Sequence, residues 1–183
     1  MSVAERVRLA YWTHFSKPSQ HRPIYREISA HRILRILEIG LGTGERARRM
    51  IEVARLASPG EEVSYVGIDL FEDRTAAAGP GHSLKAAYRL FRGSGTRVQL
   101  IPGDPFAALA RTANALGHFD LILASRWPTR DTMSAAWYYI PRLLHAGTSV
   151  FLEQADATVA RLRRLTTLEI NRLATPPRAR CAA

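Results

Sequence analysis

Cysteine is nearly absent from this 183-residue chain. Cys181 stands alone in the tail, so no internal disulfide can form, and a reducing cytoplasm is the expected compartment. Long apolar runs are missing too. The longest, such as Leu121-Ile122-Leu123-Ala124, fall far short of the roughly 20 residues that a membrane span requires. The opening Met1-Ser2-Val3-Ala4-Glu5-Arg6 has no apolar core of a secretory signal. His82, His118 and His145 are scattered singly, and no cysteine or histidine recurs at ligand spacing, so no metal site is expected. Lysine is scarce as well: Lys17 and Lys85 are the only two among 26 basic residues.

What is present suits one globular domain over residues 1–183, with 46% hydrophobic and 23% charged residues. The net charge of +10 raises the question of a nucleic-acid surface. The arginines are dispersed, however. Arg46-Ala47-Arg48-Arg49 and Arg161-Leu162-Arg163-Arg164 are the only tight groups, so a solvated basic face is the expectation. A small-molecule substrate is favoured, nucleic acid is kept as the alternative partner, a membrane is excluded, and a homodimer is left open.

Strand-like and helix-like stretches alternate without an internal repeat. Residues 3–15 read as a helix, with Val3, Val7, Ala10, Tyr11, His14 and Phe15 at helical spacing, and Ile24–Ala30 as a second, short one. Ile33–Ile39 is a buried strand running into glycines. Helix Glu45–Ala57 follows, with Ala47, Met50, Ile51, Ala54 and Leu56 on one side. Strand Val63–Leu70, loop Thr75–Ser83, helix Leu84–Phe91, strand Arg97–Pro102, helix Pro105–Leu116 and strand Phe119–Ser125 come next. Helix Asp131–His145 and strand Thr148–Glu153 close the alternation. Thr158–Leu165 suits either helix or strand. Thr166-Thr167-Leu168-Glu169 matches a capping box, so a helix is expected from Thr167 to Ala174, ahead of a loose basic tail over 175–183. The pattern predicts an α/β three-layer sandwich, a mostly parallel sheet with helices on both faces, shortened at the C-terminal end.

Three strand ends carry the chemistry. Glu38-Ile39-Gly40-Leu41-Gly42-Thr43-Gly44 lies where the first strand turns into a helix. Glycines there permit a tight turn and close approach of a ligand to backbone N–H groups. The dinucleotide fingerprint places its third glycine one residue later, where Glu45 stands, so NAD and FAD are disfavoured. Asp69 ends the second strand, where a carboxylate can take both hydroxyls of a ribose or simply cap a turn. Gly103-Asp104 ends the third, suited to an adenine amine or to capping the helix that Pro105 opens. Together these three ends provide the groups that an adenosyl ligand needs, in the crevice where open α/β sheets bind ligands.

The order Glu38-x-Gly40-x-Gly42-x-Gly44, Asp69, Gly103-Asp104 resembles class I S-adenosylmethionine-dependent methyltransferases over roughly residues 30 to 155. The resemblance implies S-adenosylmethionine as cofactor, with Gly40 and Gly42 close to its methionine part and Gly44 among the cofactor-binding residues. It implies Asp69 on the ribose, Asp104 at the adenine end with Gly103 among the cofactor-binding residues, and Glu38 orienting the loop or contacting the methionine amine through water. Residues 1–30, with Tyr11, Trp12, His14, Phe15, His21 and Tyr25, are similar to the helical cover of small-molecule methyltransferases. Two patterns depart from the family. Ser125-Arg126-Trp127-Pro128 replaces the Asn- or Asp-headed motif of amino-group enzymes, and Ser125 and Glu153-Gln154 replace the ligands of the metal-dependent O-methyltransferases. The expected activity is methyl transfer with no metal ligands. Ser125, Arg126 and Trp127 are expected to form the substrate pocket's floor, and His14, His21 and Glu153 are candidate bases. A cofactor-binding module without catalysis and an RNA-modifying enzyme are the alternatives.

Overall fold

The computed structural model describes residues 1–76, 79–125, 130–155 and 160–175. Six strands form one sheet in the order β3-β2-β1-β4-β5-β6. These are β1 Arg35–Ile39, β2 Ser64–Asp69, β3 Arg97–Pro102, β4 Phe119–Ala124, β5 Leu144–Ala155 and β6 Ala160–Arg164. The first five pair in parallel, and β6 runs antiparallel along β5. Thr158–Leu165 therefore resolves to an outlying strand where the residues are described.

Side chains alternate across the sheet, as a two-fold period requires. Leu37, Ile39, Val66, Ile68, Ile122 and Val150 pack on one face with α5 Pro105–Leu116 and α7 Thr167–Ala174. Ile36, Tyr65, Leu100, Leu121 and Phe151 pack on the other with α2 Arg22–Ala30, α3 Glu45–Ala57 and α4 Leu84–Leu90. Burial on both faces explains why these strands read as unbroken apolar runs. The three-layer fold expected from the sequence is the fold observed.

Helix ends follow local chemistry. Asp104 accepts from the Ala107 N–H at 3.1 Å and Pro105 opens α5, while Thr166 and Glu169 close the capping box of α7.

Three expectations need correction. Helix 131–145 ends early: α6 covers Arg130–Ala136, tight 3-10 turns run over Trp137–Leu143, and β5 begins at Leu144 rather than Thr148. Pro141 lacks the N–H that an α-helix would need there. The stripe Val3, Val7, Tyr11 and Phe15 of α1 Val3–Ala10 and the π-helical turn Tyr11–Phe15 stays exposed. That segment instead sets Trp12 on α3, donating from Nε1 to Glu52 at 3.0 Å. On α3, Val53 is buried and Leu56 is only half-buried.

Candidate functional site

The glycine turn sits at the carboxyl end of β1, between β2 and β4. Gly40, Gly42 and Gly44 have φ of +90°, +59° and +68°, a region costly for residues with a Cβ. The turn is tied to both neighbours. Gly40 N–H donates to Ile68 O at 2.8 Å, and Ser125 N–H donates to Ile39 O at 2.8 Å. Gly42 N–H donates to Asp69 Oδ2 at 2.8 Å. Gly103 N–H donates to Asp69 O at 2.9 Å, which brings the third strand end alongside.

A cavity of about 340 Å³ opens over this turn, within the range of small-molecule sites. Gly40, Gly42, Arg46, Ser125 and Glu153 line it from the sheet side, and Pro18 and His21 from the N-terminal cover.

Beneath it lies a buried charge network. Glu38 shares its face of β1 with Ile36 and so points into the α3 layer, fully buried. Arg46, in the first turn of α3, donates to Glu38 at 2.8 Å, to Glu153 at 3.3 Å, to Gly40 O at 3.4 Å and to Ser125 Oγ. Tyr65 OH donates to the other Glu38 oxygen. Gly67, paired with Glu38 across β1 and β2, makes this possible: a Cβ there would stand 3.1–3.3 Å from the Tyr65 ring and hydroxyl. Burial pushes the Glu38 carboxyl up, against the pull of Arg46 and Tyr65. Burial also works against the Arg46 charge, but Glu38 and Glu153 outweigh it and hold the guanidinium above its ordinary range. Arg46 thus clamps the ends of β1, β4 and β5 together.

Asp69 is buried and fully engaged. Oδ1 accepts from Leu70 N–H at 2.6 Å and Arg74 Nε at 2.8 Å, and Oδ2 accepts from Gly42 N–H and Arg74 Nη2, both at 2.8 Å. Arg74 therefore grips this carboxylate with two parallel bonds.

Of the candidate residues, Gly40, Gly42, Ser125, His21 and Glu153 meet at the cavity. Glu38, Gly44 and Asp69 stand behind its lining. Asp104 lies outside the lining and caps α5, and His14 is exposed on the cover. Arg126 and Trp127 lie outside the described residues. Sequence reasoning passed over Arg46 and Arg74. A signal for Arg46 existed: an acid in an apolar strand needs a cation, and Arg46 shares its helix face with Met50 and Val53. Among the described residues, no group of three His, Cys, Asp or Glu could hold a metal, and no helix is long and apolar enough to cross a membrane.

His21 has a measurable consequence. Burial, with Arg46 second, pushes its pKa down to about 4. An unfolded chain protonates this ring near ~6.5, so stability is full above that pH and is lost as pH falls toward 4. The loss is no more than about 3 kcal/mol for this partly buried ring. Urea unfolding at pH 7 and pH 4.5 is expected to show a smaller acid-induced drop in His21→Gln than in the parent. Equal drops would contradict the neutral, buried imidazole.

No family model and no curated protein matches the sequence. Solved structures do match. The calicheamicin methyltransferase CalS11 superposes with TM-score 0.58 at 17% identity, over 84% of this chain and 77% of that one. A TehB-like S-adenosylmethionine-dependent methyltransferase from Corynebacterium glutamicum gives 0.51 at 18%, over 93% and 78%. The S-adenosylhomocysteine-bound methyltransferase PaMTH1 of Podospora anserina gives 0.52 at 23%, over 83% of this chain and 62% of its own length. The fold is that of the class I S-adenosylmethionine-dependent methyltransferases.

Proposed function

We propose that the protein binds S-adenosylmethionine over the Gly40–Gly44 turn and transfers its methyl group to a small molecule in the cytoplasm. The observation that carries this reading is the joining of the turn to Asp69 through Gly42 N–H, at the mouth of a cavity of ligand size. The donor set fits the cofactor. Glycines with positive φ leave the backbone approachable, and Asp69 offers acceptors for ribose hydroxyls.

The bound cofactor supplies an already activated methyl group on a sulfonium. The chain then has to orient two reactants and exclude water. The Arg46 clamp fixes the floor of the cavity, Ser125 and Glu153 border the acceptor side, and the 1–30 segment closes over it. Pro18 and His21 of the N-terminal cover beside the turn favour a small acceptor over a polymer.

Arg74 holds the place on Asp69 that a ribose would take, so it has to swing aside. Calorimetry with S-adenosylhomocysteine tests both points. Asp69→Ala is expected to weaken binding by roughly 1–3 kcal/mol, the cost of leaving ribose hydroxyls without an acceptor. Arg74→Ala is expected to tighten it about tenfold by removing an internal competitor. Absence of heat and of thermal shift with millimolar cofactor would refute the function.

A further inference from the structure

His21 stands apart from the charge network. It ends the turn Ser19–His21 and lines the same cavity as Gly40, Ser125 and Glu153. Its Nδ1 is buried without a hydrogen-bond partner among the described residues, so Nε2 is the ring nitrogen left to the cavity. The Tyr25 ring meets the imidazole edge-on at 6.3 Å and holds its plane. Glu153, by contrast, is engaged by Arg46.

We propose that His21 is a catalytic residue whose Nε2 accepts the proton of a hydroxyl group as that oxygen receives the methyl, so that the acceptor is an alcohol or phenol rather than an amine. The inference rests on the methyl-transfer reading above. The acceptor oxygen's lone pair forms the new C–O bond, and the C–S bond breaks with its electron pair remaining on sulfur. The hydroxyl proton passes to Nε2, and the imidazolium later releases it to water. The positive charge moves from sulfur to the imidazole, and nothing else is consumed.

The surroundings match this task. Arg46 and Arg49 of α3 oppose a charge on the ring, while Glu153 of β5 and Glu45 of α3 favour one. Burial and the arginines prevail, so the ring is neutral at physiological pH and its lone pair is free. A neutral imidazole at this place in the cavity wall matters to one class of acceptor. An oxygen that has gained a methyl while still carrying its proton is a strong acid and yields that proton readily. An amine attacks through its free lone pair, and its methylated ammonium, in the range of a lysine side chain, is stable with its proton. A base lining the cavity therefore serves a hydroxyl acceptor and is idle toward an amine.

The experiment pairs catechol and 4-hydroxybenzoate with benzylamine and 4-(aminomethyl)benzoate, using S-adenosylmethionine with a labelled methyl. S-adenosylhomocysteine binding is followed in parallel by calorimetry, and the His21 ring nitrogens by NMR without cofactor. Label is expected on a phenol oxygen. His21→Asn and His21→Gln are each expected to lower kcat about 100-fold while the Kd for S-adenosylhomocysteine stays within about threefold. The neutral Nε2 signal is expected to persist from about pH 5.5 to 8 and to shift when catechol is added to the wild-type protein. Label on amines alone, no label on either phenol, unchanged kcat in both variants, or an Nε2 signal indifferent to catechol would each overturn the assignment. If S-adenosylhomocysteine itself does not bind, the cofactor reading falls along with it. If it binds and the phenols fail, only the His21 inference falls.

Discussion

Gly42→Val is expected to abolish S-adenosylhomocysteine binding in calorimetry up to millimolar ligand. The residue sits at φ +59°, where an L side chain costs about 1–2 kcal/mol, and β-branching adds to that. The cheapest relief is to rotate the peptide, and that pulls the Gly42 N–H away from Asp69 Oδ2 and separates the turn from the β2 end. Bulk and strain are separable. A Cβ at this position would meet Pro80 O at 3.8 Å, an ordinary contact, so Gly42→Ala reports the strain alone and is expected to bind weakly rather than not at all. The valine variant should still fold, with Tm lower by roughly 3–8 °C. Wild-type affinity in Gly42→Val would mean that the ligand does not lie on this turn.

Glu38→Ala is expected to lose about 3 kcal/mol of stability, lowering Tm by roughly 6–12 °C in scans without ligand. Two buried groups lose their partner at once: the Arg46 guanidinium and the Tyr65 hydroxyl. Arg46 keeps Glu153, Ser125 and Gly40 O, which places the cost near the lower end for a broken buried ion pair. Glu38→Gln preserves shape and an acceptor and is expected to cost about half as much. Equal, negligible losses in both would show that Arg46 is held by β4 and β5 alone.

The sheet was legible because β1, β2 and β4 are buried on both faces and cannot disguise themselves as anything but short apolar runs. The glycine turn was legible because glycine is the residue that adopts three such positive φ angles without steric cost. The charge network was not. Arg46 stands beside Arg48 and Arg49 in the chain, and only the phase of α3 against the side of β1 that carries Glu38 separates the guanidinium that reaches Glu38 from the exposed Arg48 and from Arg49, which turns to Glu45. Arg74 is five residues past Asp69, a separation that only a folded loop brings to hydrogen-bond distance. The capping alternative for Asp104 is the bond that the structure contains, since the N–H groups of the first turn of α5 need an acceptor whether or not an adenine is nearby. The apolar stripe of α1 misled for a related reason: periodicity marks a face, and the side chains that fasten the segment to α3 are the amphipathic Trp12 and the charged Arg8.

The antiparallel strand β6 forms one margin of the sheet, and a bare strand margin invites a second chain to add its own backbone. Here that margin carries Arg161, Arg163 and Arg164, all exposed, Arg163 paired with Glu169 and Arg164 with Glu27, and Leu162 half-buried between them. A second copy approaching in register would bring the same row of guanidinium groups against its own likeness, and the repulsion would have to be met before any backbone bond could form. If these side chains oppose edge-to-edge pairing, concentrated solutions are expected to grow more prone to aggregation when salt or polyanions screen them.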